Sequence, residues 1–457
     1  MSRKTEYVHN PCFLSANILK ILGVFAENQI FLIVLMTSCE NDENIIVDSS
    51  NSDTISNIVS LEEARAELEK LLNDTYGWAS TTSTRSTSSG RKVIANAFTI
   101  REDLQLTRSS EIESPIIHIF NFENQGGFAI MSGNREMPSL LALADSGEIS
   151  ETNPIDNPGF TIFLENMEKK YIEGISASAF TRSSGNYKVY GEWKNIIYKE
   201  GGYCKVKWNQ SSPYNNYCPL KNKERTVTGC VATAVAQLMS IYKYPSSHNG
   251  YLYDWNKMTA NAYGYNCTLA GQDQIARLMV ELGSKPNLNM SYNTATNGGS
   301  SASADNIPRT LKNFGYSNGG NLNSYNTERV VSELKNGYSV LAGGFSHKKV
   351  KKFLGIKVKT TYSGGHRWLC HGLLERRRIV KTYNSNNILQ NTTTESEWYP
   401  LCNWGWGGYQ DGYYLSKAFN SNAGPSYSAS TRSADGENGS EDYNYQYKIT
   451  AVVGIRK

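Results

Sequence analysis

The stretch Thr228-Gly-Cys230-Val-Ala-Thr-Ala-Val-Ala-Gln-Leu-Met239 combines a thiol with the pattern of a buried helix. Val231, Ala234, Val235, Leu238 and Tyr242 recur at helical spacing, and Pro245 closes the run. Gly229 gives a tight entry, which predicts Cys230 in the first helical turn. Unpaired backbone N–H groups and the positive end of the helix dipole lie there. Both favour a thiolate, the nucleophilic form of cysteine. The N–H of Cys230 is also placed to stabilise an oxyanion. Taken alone, the same residues fit an inert core cysteine on an apolar helix at least as well.

A thiolate nucleophile needs an imidazole partner. Of the 6 His, His9 and His118 precede a linker, which leaves His248, His347, His366 and His371. Ser363-Gly-Gly-His366-Arg-Trp-Leu-Cys-His-Gly372 stands out. Gly364 and Gly365 strip side chains from one side of His366, as a substrate-facing position requires. A strand from Arg367 to Leu374 turns His371 to the face opposite His366. His366 is therefore the expected base and His371 a structural residue. Cys402-Asn403-Trp404-Gly-Trp406-Gly-Gly408 reads as an indole-walled turn. It could orient an imidazole and wall a peptide groove; a core Trp pair in a Gly-rich turn is the plainer alternative.

These residues need a scaffold, and the chain is organised to give one. Residues 40–57 are a polar tether. Ser60-Leu-Glu-Glu63 reads as a capping box, and Leu61, Ala64, Leu68, Leu71 and Leu72 carry a helix to about Asn73. Strands are expected over 116–122, 127–131 and 140–144, with a turn at Asn124-Gln-Gly126. Pro158 opens a helix bearing Phe160, Phe163, Leu164, Met167, Tyr171 and Ile172. Residues 58–176 thus form a small α+β domain. The small-residue stretch from Ser176 to Gly185 reads as an exposed, cleavable linker, assigned to 177–190. Residues 191–457 suffice for one enzyme-sized domain, with a low-complexity loop at 421–441 and a last strand over 447–455.

Composition narrows the classes. A net charge of +4 over 457 residues argues against a dedicated nucleic-acid binder. The basic runs Lys348–Lys352 and Arg376–Arg378 are expected as a solvated hairpin and a solvated strand end. The 8 Cys form no CxxC and no zinc-like cluster with His, so neither a metal nor a cofactor is expected. Disulfides suit an exported chain, but spacing does not give their pairing. Arg3, Lys4 and Lys20 precede the apolar run Ile30–Met36, and Thr37-Ser38-Cys39 follows, as in a signal peptide spanning 1–39. The polar Glu27-Asn28-Gln29 interrupts the apolar stretch. Small residues before Cys39 resemble a bacterial lipoprotein box, in which Cys39 would carry the lipid anchor. That anchor is the expected route to a membrane.

Taken in order, the motifs resemble the streptopain family of papain-like cysteine proteases, bacterial enzymes made with a large inhibitory propeptide. Asn209-Gln-Ser-Ser-Pro-Tyr-Asn215 resembles the entry segment, Thr228–Ala234 the nucleophile helix and Gly364-Gly-His366 the histidine strand. Asn403-Trp-Gly-Trp-Gly-Gly408 resembles the loop in which Trp404 packs beside the His. Gly299-Ser-Ser-Ala-Ser-Ala304 with Asn313-Phe-Gly-Tyr316 resembles a groove segment, and Ala451–Ile455 the last strand. Gly126–Gly133 resembles part of the propeptide.

The resemblance implies an α+β fold: a two-lobed papain-like protease domain behind a small α+β propeptide domain. It implies Cys230, His366, Gln210, Asn403 and Trp404 as catalytic residues, with Gln210 donating to the oxyanion. It implies substrate contacts at Gly299, Ser301, Ala302, Ser303, Gly364, Gly365 and Trp406. Polypeptides are the implied substrates, and the chain's own propeptide the implied intramolecular inhibitor. Two departures stand out: Arg367 replaces a small residue after the His, and His371 replaces an Asp. On a regular strand Arg367 is expected to point away from the thiol. A non-catalytic surface protein on the same fold is the competing reading, and acyl transfer to amines a third.

Overall fold

Ser60 starts the first helix as its sequence predicts: its Oγ accepts from the Glu63 N–H at 3.1 Å. The helix, α1 (Leu61–Tyr76), buries Ala64, Leu68, Leu71 and Leu72 along one stripe. The computed structural model describes residues 58–76, 92–101, 115–135, 137–180, 186–198, 203–345, 352–353, 355–358, 365–420 and 449–457. The expected leader and tether with Cys39, Gly364, and the 421–441 loop lie outside them.

After α1 come β1 (Ile94–Arg101), β2 (Pro115–Phe122), β3 (Phe128–Ser132) and β4 (Leu140–Ala144), an antiparallel meander. β1 was not expected; most of its residues are only half-buried, which blurs its alternation. Next, α2 (Pro158–Phe180) runs past residue 176 into the expected linker. Ala and Ser extend a helix already nucleated by its apolar first half at little cost. β5 (Tyr187–Tyr190) and β6 (Lys194–Tyr198) follow, so the 177–190 stretch also contains a strand.

The C-terminal region supplies α3 (Cys230–Tyr242), α4 (Leu269–Gly283), α5 (Asn306–Asn313), β7 (Asn318–Ser324) and α6 (Thr327–Lys335). It continues with β8 (Val340–Phe345), the long β9 (Gly365–Tyr383), β10 (Leu389–Asn403), β11 (Gly412–Tyr414) and β12 (Thr450–Arg456). One 12-stranded sheet runs in the order β1-β2-β3-β4-β11-β10-β9-β8-β12-β7, with β5 and β6 also paired to β9. The two regions join through β4 and β11, where Ala144 faces Gly412 and Ala142 faces Tyr414.

Each face of the C-terminal strands covers a different core. Leu341, Leu369 and Val452 pack with α3, α4 and α5. Val340, Ala342, Trp368 and Cys370 pack with Phe160, Phe163 and Leu164 of α2 and with the N-terminal strands. Strand alternation makes this division, so successive residues of β9 serve opposite cores.

Residues 348–351 of the first basic run lie outside the described residues, and the second run, Arg376–Arg378, is not simply a solvated strand end. Arg376 is 1% exposed and pairs with Glu67 of α1 at 2.8 Å. Arg378 pairs with Glu395 at 2.7 Å, and its guanidinium lies 4.3 Å from the Trp193 ring centroid. A guanidinium sheds water readily when a carboxylate and an aromatic face replace it. In the segment after Lys348–Lys352, Phe353, Ile356 and Val358 are buried in the core that holds the N-terminal region.

Candidate active site

α3 begins at Cys230. Its N-cap, Gly229, has φ 82° and ψ 144°, a backbone that side chains other than glycine's resist. A Cβ there would also lie 2.9 Å from the Ser300 carbonyl oxygen. Residues Val231 to Ser240 are all buried, while Cys230 is half-buried. The thiol therefore sits at the mouth of a helix otherwise sealed in the core.

Three segments converge on that mouth. Trp208 N–H donates to Gln237 Oε1 at 3.1 Å, and Thr228 N–H to the Gln210 carbonyl at 3.0 Å. These bonds hold Gln210 beside the strand of chain that leads into Cys230. Opposite, Ser300 Oγ donates to the Val227 carbonyl at 2.6 Å and accepts from Asn293 N–H at 2.9 Å. Ser301 and Ser291 exchange backbone hydrogen bonds at 3.0 and 2.8 Å. Ser303 Oγ donates to Asp305 at 2.7 Å, and Ala302 packs on the α3 core. Gly299, in the left-handed region at φ 74°, starts this rim.

The third segment is the start of β9. The Cys230 sulfur lies 4.0 Å from the Gly365 carbonyl oxygen. β10 pairs with β9 only from Leu369 onward, which leaves the outer edge of Gly365–Arg367 to face the thiol. His366 shares its face of β9 with Trp368, on the side of the N-terminal region. Its Nε2–H donates to the Trp404 carbonyl at 2.8 Å; a carbonyl can only accept, so the proton is on Nε2. Among the described residues no hydrogen bond joins this imidazole to the thiol. Arg367 takes the other face, donating to the Leu341 carbonyl at 3.1 Å and to Thr450 Oγ1 at 3.0 Å. The expectation that it points away from the thiol is corrected: alternation places Arg367 on the α3 side and His366 on the other.

Electrostatics follow from these positions. Burial pushes the Cys230 thiol up; the Arg367 N–H and guanidinium, and the N–H groups of Cys230 and Val231, pull it only partly back. Burial also lowers His366 to about 4; the Trp404 carbonyl offsets some of this, and the Arg367 charge adds to it. Near neutral pH both groups are therefore uncharged, and no thiolate–imidazolium pair exists.

The tryptophan loop divides its tasks differently from the expectation. The Trp404 ring is sealed between Trp368 and Tyr414, with centroids 5.1 and 4.9 Å away. Its Nε1–H donates to the Gln410 carbonyl at 2.8 Å. Toward His366 it offers its backbone carbonyl. The loop's indole set edge-on to the imidazole is that of Trp406, at 6.2 Å and 83°. Asn403 turns inward, donating to the Val206 carbonyl at 2.9 Å and accepting from Gly405 N–H at 3.0 Å. It braces the loop, and its described bonds do not reach His366. Asp411, which sequence reasoning did not single out, accepts from Trp404 N–H at 2.9 Å. Burial raises its carboxyl to about 7. His371 accepts from Cys204 N–H at 3.1 Å, away from the thiol.

The N-terminal region grips this loop. Asn157 Nδ2 donates to the Tyr409 carbonyl at 2.9 Å, Gln410 N–H to Ser146 Oγ at 3.0 Å, and Asp145 N–H to the Asp411 carbonyl at 2.7 Å. Gly159, in the first turn of α2, lies flat against the Trp404 ring. Nothing in the local sequence around Gly159 signals this; it arises from the meeting of two regions about 250 residues apart, beyond any periodicity argument.

A thiol at a helix start and an imidazole on the strand beside it, with no hydrogen bond between them while the N-terminal region holds the tryptophan loop, have the chemistry of a latent cysteine protease. Comparison with known proteins points to the same class. The Peptidase C10 family matches residues 208–414, and the Spi protease inhibitor family matches 56–171. Streptopain of Streptococcus pyogenes serotype M1 is 27% identical over 396 residues, covering 78% of this chain and 85% of that protein. The thiol protease/hemagglutinin PrtT of Porphyromonas gingivalis is 24% identical over 168 residues, 35% of this chain and 19% of that one. Among solved structures, a prointerpain A fragment of Prevotella intermedia aligns over 79% of this chain and 99% of its own, with TM-score 0.49 and 20% identity. These matches make the chain the zymogen of a cysteine endopeptidase, with an inhibitor-type prodomain ahead of a streptopain-like protease region.

Proposed function

We propose that the chain is exported, held at the cell surface through Cys39 or released, and activated by cleavage within 177–190. The observation that carries the catalytic reading is the half-buried Cys230 sulfur at the start of α3, 4.0 Å from the backbone of the His366 strand. In the mature enzyme His366 leaves the Trp404 carbonyl and moves to the thiol's side of β9. The imidazole takes the thiol proton, and the thiolate attacks the scissile carbonyl of a polypeptide. Gln210 and the Cys230 N–H hold the oxyanion. His366 protonates the leaving amine, and water then releases the acyl-enzyme. Trp406 shields the imidazole, Trp404 and Asn403 keep the loop in place, and Gly299–Ser303 forms a wall of the groove.

Casein hydrolysis by the prodomain-free enzyme tests this. Wild type cleaves and Cys230→Ala does not; equal inertness of the two sinks the proposal and favours a binding protein on a protease fold. Cross-linked rather than shortened casein indicates acyl transfer. Gln210→Ala removes one oxyanion donor, worth about 3 kcal/mol, and lowers turnover on the order of 100-fold.

A further inference from the structure

The pairing of β9 with β10 sets Cys370 directly opposite Cys402. Their sulfur atoms are 3.9 Å apart, and both residues are fully buried. Directly opposed residues of antiparallel strands have Cα atoms roughly 4.5–5.5 Å apart, inside the range of about 4.4–6.8 Å that a disulfide spans. Side-chain rotation closes the remaining gap without moving either strand. Two other buried thiols are aimed elsewhere: Cys204 points at the Val206 carbonyl, 3.5 Å away, and Cys267 at the Met258 carbonyl, 3.6 Å away. Catalysis makes no use of Cys370 or Cys402. Their positions are nevertheless informative. Cys370 shares its face of β9 with His366, and Cys402 lies two residues before Trp404.

We propose that Cys370 and Cys402 form a cross-strand disulfide when the chain folds under oxidising conditions, tying the His366 strand to the Trp404 loop. In the reaction one thiol, as thiolate, attacks a disulfide oxidant such as glutathione disulfide and expels one equivalent of its thiol. The second thiol then displaces the other half, closing the Cys370–Cys402 bond. Two protons and two electrons leave the cysteines, and one oxidant disulfide becomes two thiols. Burial dates the event: the bond forms while β9 and β10 pair and before the core closes over them. Afterwards the same burial shields it, so a mild reductant restores the half-buried Cys230 thiol and leaves the bridge intact. The bridge closes a loop of about 30 residues, long enough to restrict the unfolded chain appreciably.

The test uses the full chain carrying Cys230→Ala, refolded with glutathione disulfide. It is denatured and alkylated with iodoacetamide, with and without prior reduction, then mapped by peptide mass. Cys370 and Cys402 are expected to resist alkylation until reduced, and to appear in one linked peptide pair. The oxidised protein is expected to melt several degrees above its reduced form, a shift that Cys402→Ser abolishes. Alkylation of both residues without reduction, or a bridge from either to another cysteine, overturns the proposal. A melting shift that persists in Cys402→Ser overturns the link between bridge and stability.

Discussion

Gly159→Ala should loosen the prodomain's hold on the active site, although in most helices this substitution stabilises. A Cβ at Gly159 would lie 2.2 Å from Trp404 Cε3, 2.8 Å from Cζ3 and 2.9 Å from Cδ2. These are ring atoms of an indole that is 0% exposed, wedged between Trp368 and Tyr414. The ring cannot swing aside, and its Nε1–H is anchored on the Gln410 carbonyl. Either α2 backs off or the loop shifts. Overpacking of this kind costs about 1–3 kcal/mol, against a helix-propensity gain of up to about 1 kcal/mol for Ala over Gly. The net loss of up to about 2 kcal/mol corresponds to a rise of up to about 30-fold in the population with the prodomain lifted. The mature enzyme lacks residue 159 and should be unaffected. Two readouts follow. In the Cys230→Ala background, the Gly159→Ala zymogen should melt below its parent. With Cys230 intact, it should mature faster under identical conditions. A variant as stable as its parent and maturing at the same rate would refute the claim that α2 bears directly on Trp404.

Two further predictions concern charge. In the zymogen the Cys230 thiol is raised and His366 is lowered to about 4, so near pH 7 iodoacetamide should alkylate Cys230 at least ~10-fold more slowly before prodomain removal than after. Equal rates would mean that the ion pair already exists in the precursor. Burial raises Glu397 and Asp411 to about 7, so the folded zymogen holds protons that the unfolded chain has released above about pH 4. Their stabilising contribution is present at low pH and lost as pH rises through about 7. His366 acts oppositely, but only as pH falls from about 6.5 toward 4. The zymogen's melting temperature should therefore decline from pH 6.5 to 8, and Glu397→Gln should flatten that slope. A slope unchanged by Glu397→Gln would contradict the assignment.

Local signals were legible in the sequence and long-range ones were not. The capping box at Ser60, the strand at 140–144 and the helix from Cys230 rest on residues within a few positions of each other, and each lies where its pattern placed it. The end of α2 was misread because small polar residues suit both a loop and a continued helix. Arg376 was misread because a charged triplet carries no sign of its partner, and Glu67 lies on a helix 309 residues away. Likewise the indole of this loop set against His366 is that of Trp406, a choice made by the turn's backbone and by Gln410 rather than by spacing.

The location of His366 also explains how one prodomain can hold the enzyme silent without entering the thiol's side of the sheet. β9 presents His366, Trp368 and Cys370 to one core and Arg367, Leu369 and His371 to the other. The prodomain completes the first core; α3 and its thiol belong to the second. While the prodomain's apolar residues cover that first face, the imidazole has a carbonyl to bond and a dry site to occupy. Once they leave, that site opens to water, and a buried histidine held to about 4 loses the environment that kept it neutral. On the proposed mechanism, the imidazole then exchanges the Trp404 carbonyl for a thiolate partner. In that proposal latency is a choice between two faces of one strand, set by the prodomain because it supplies half of the core on one of them.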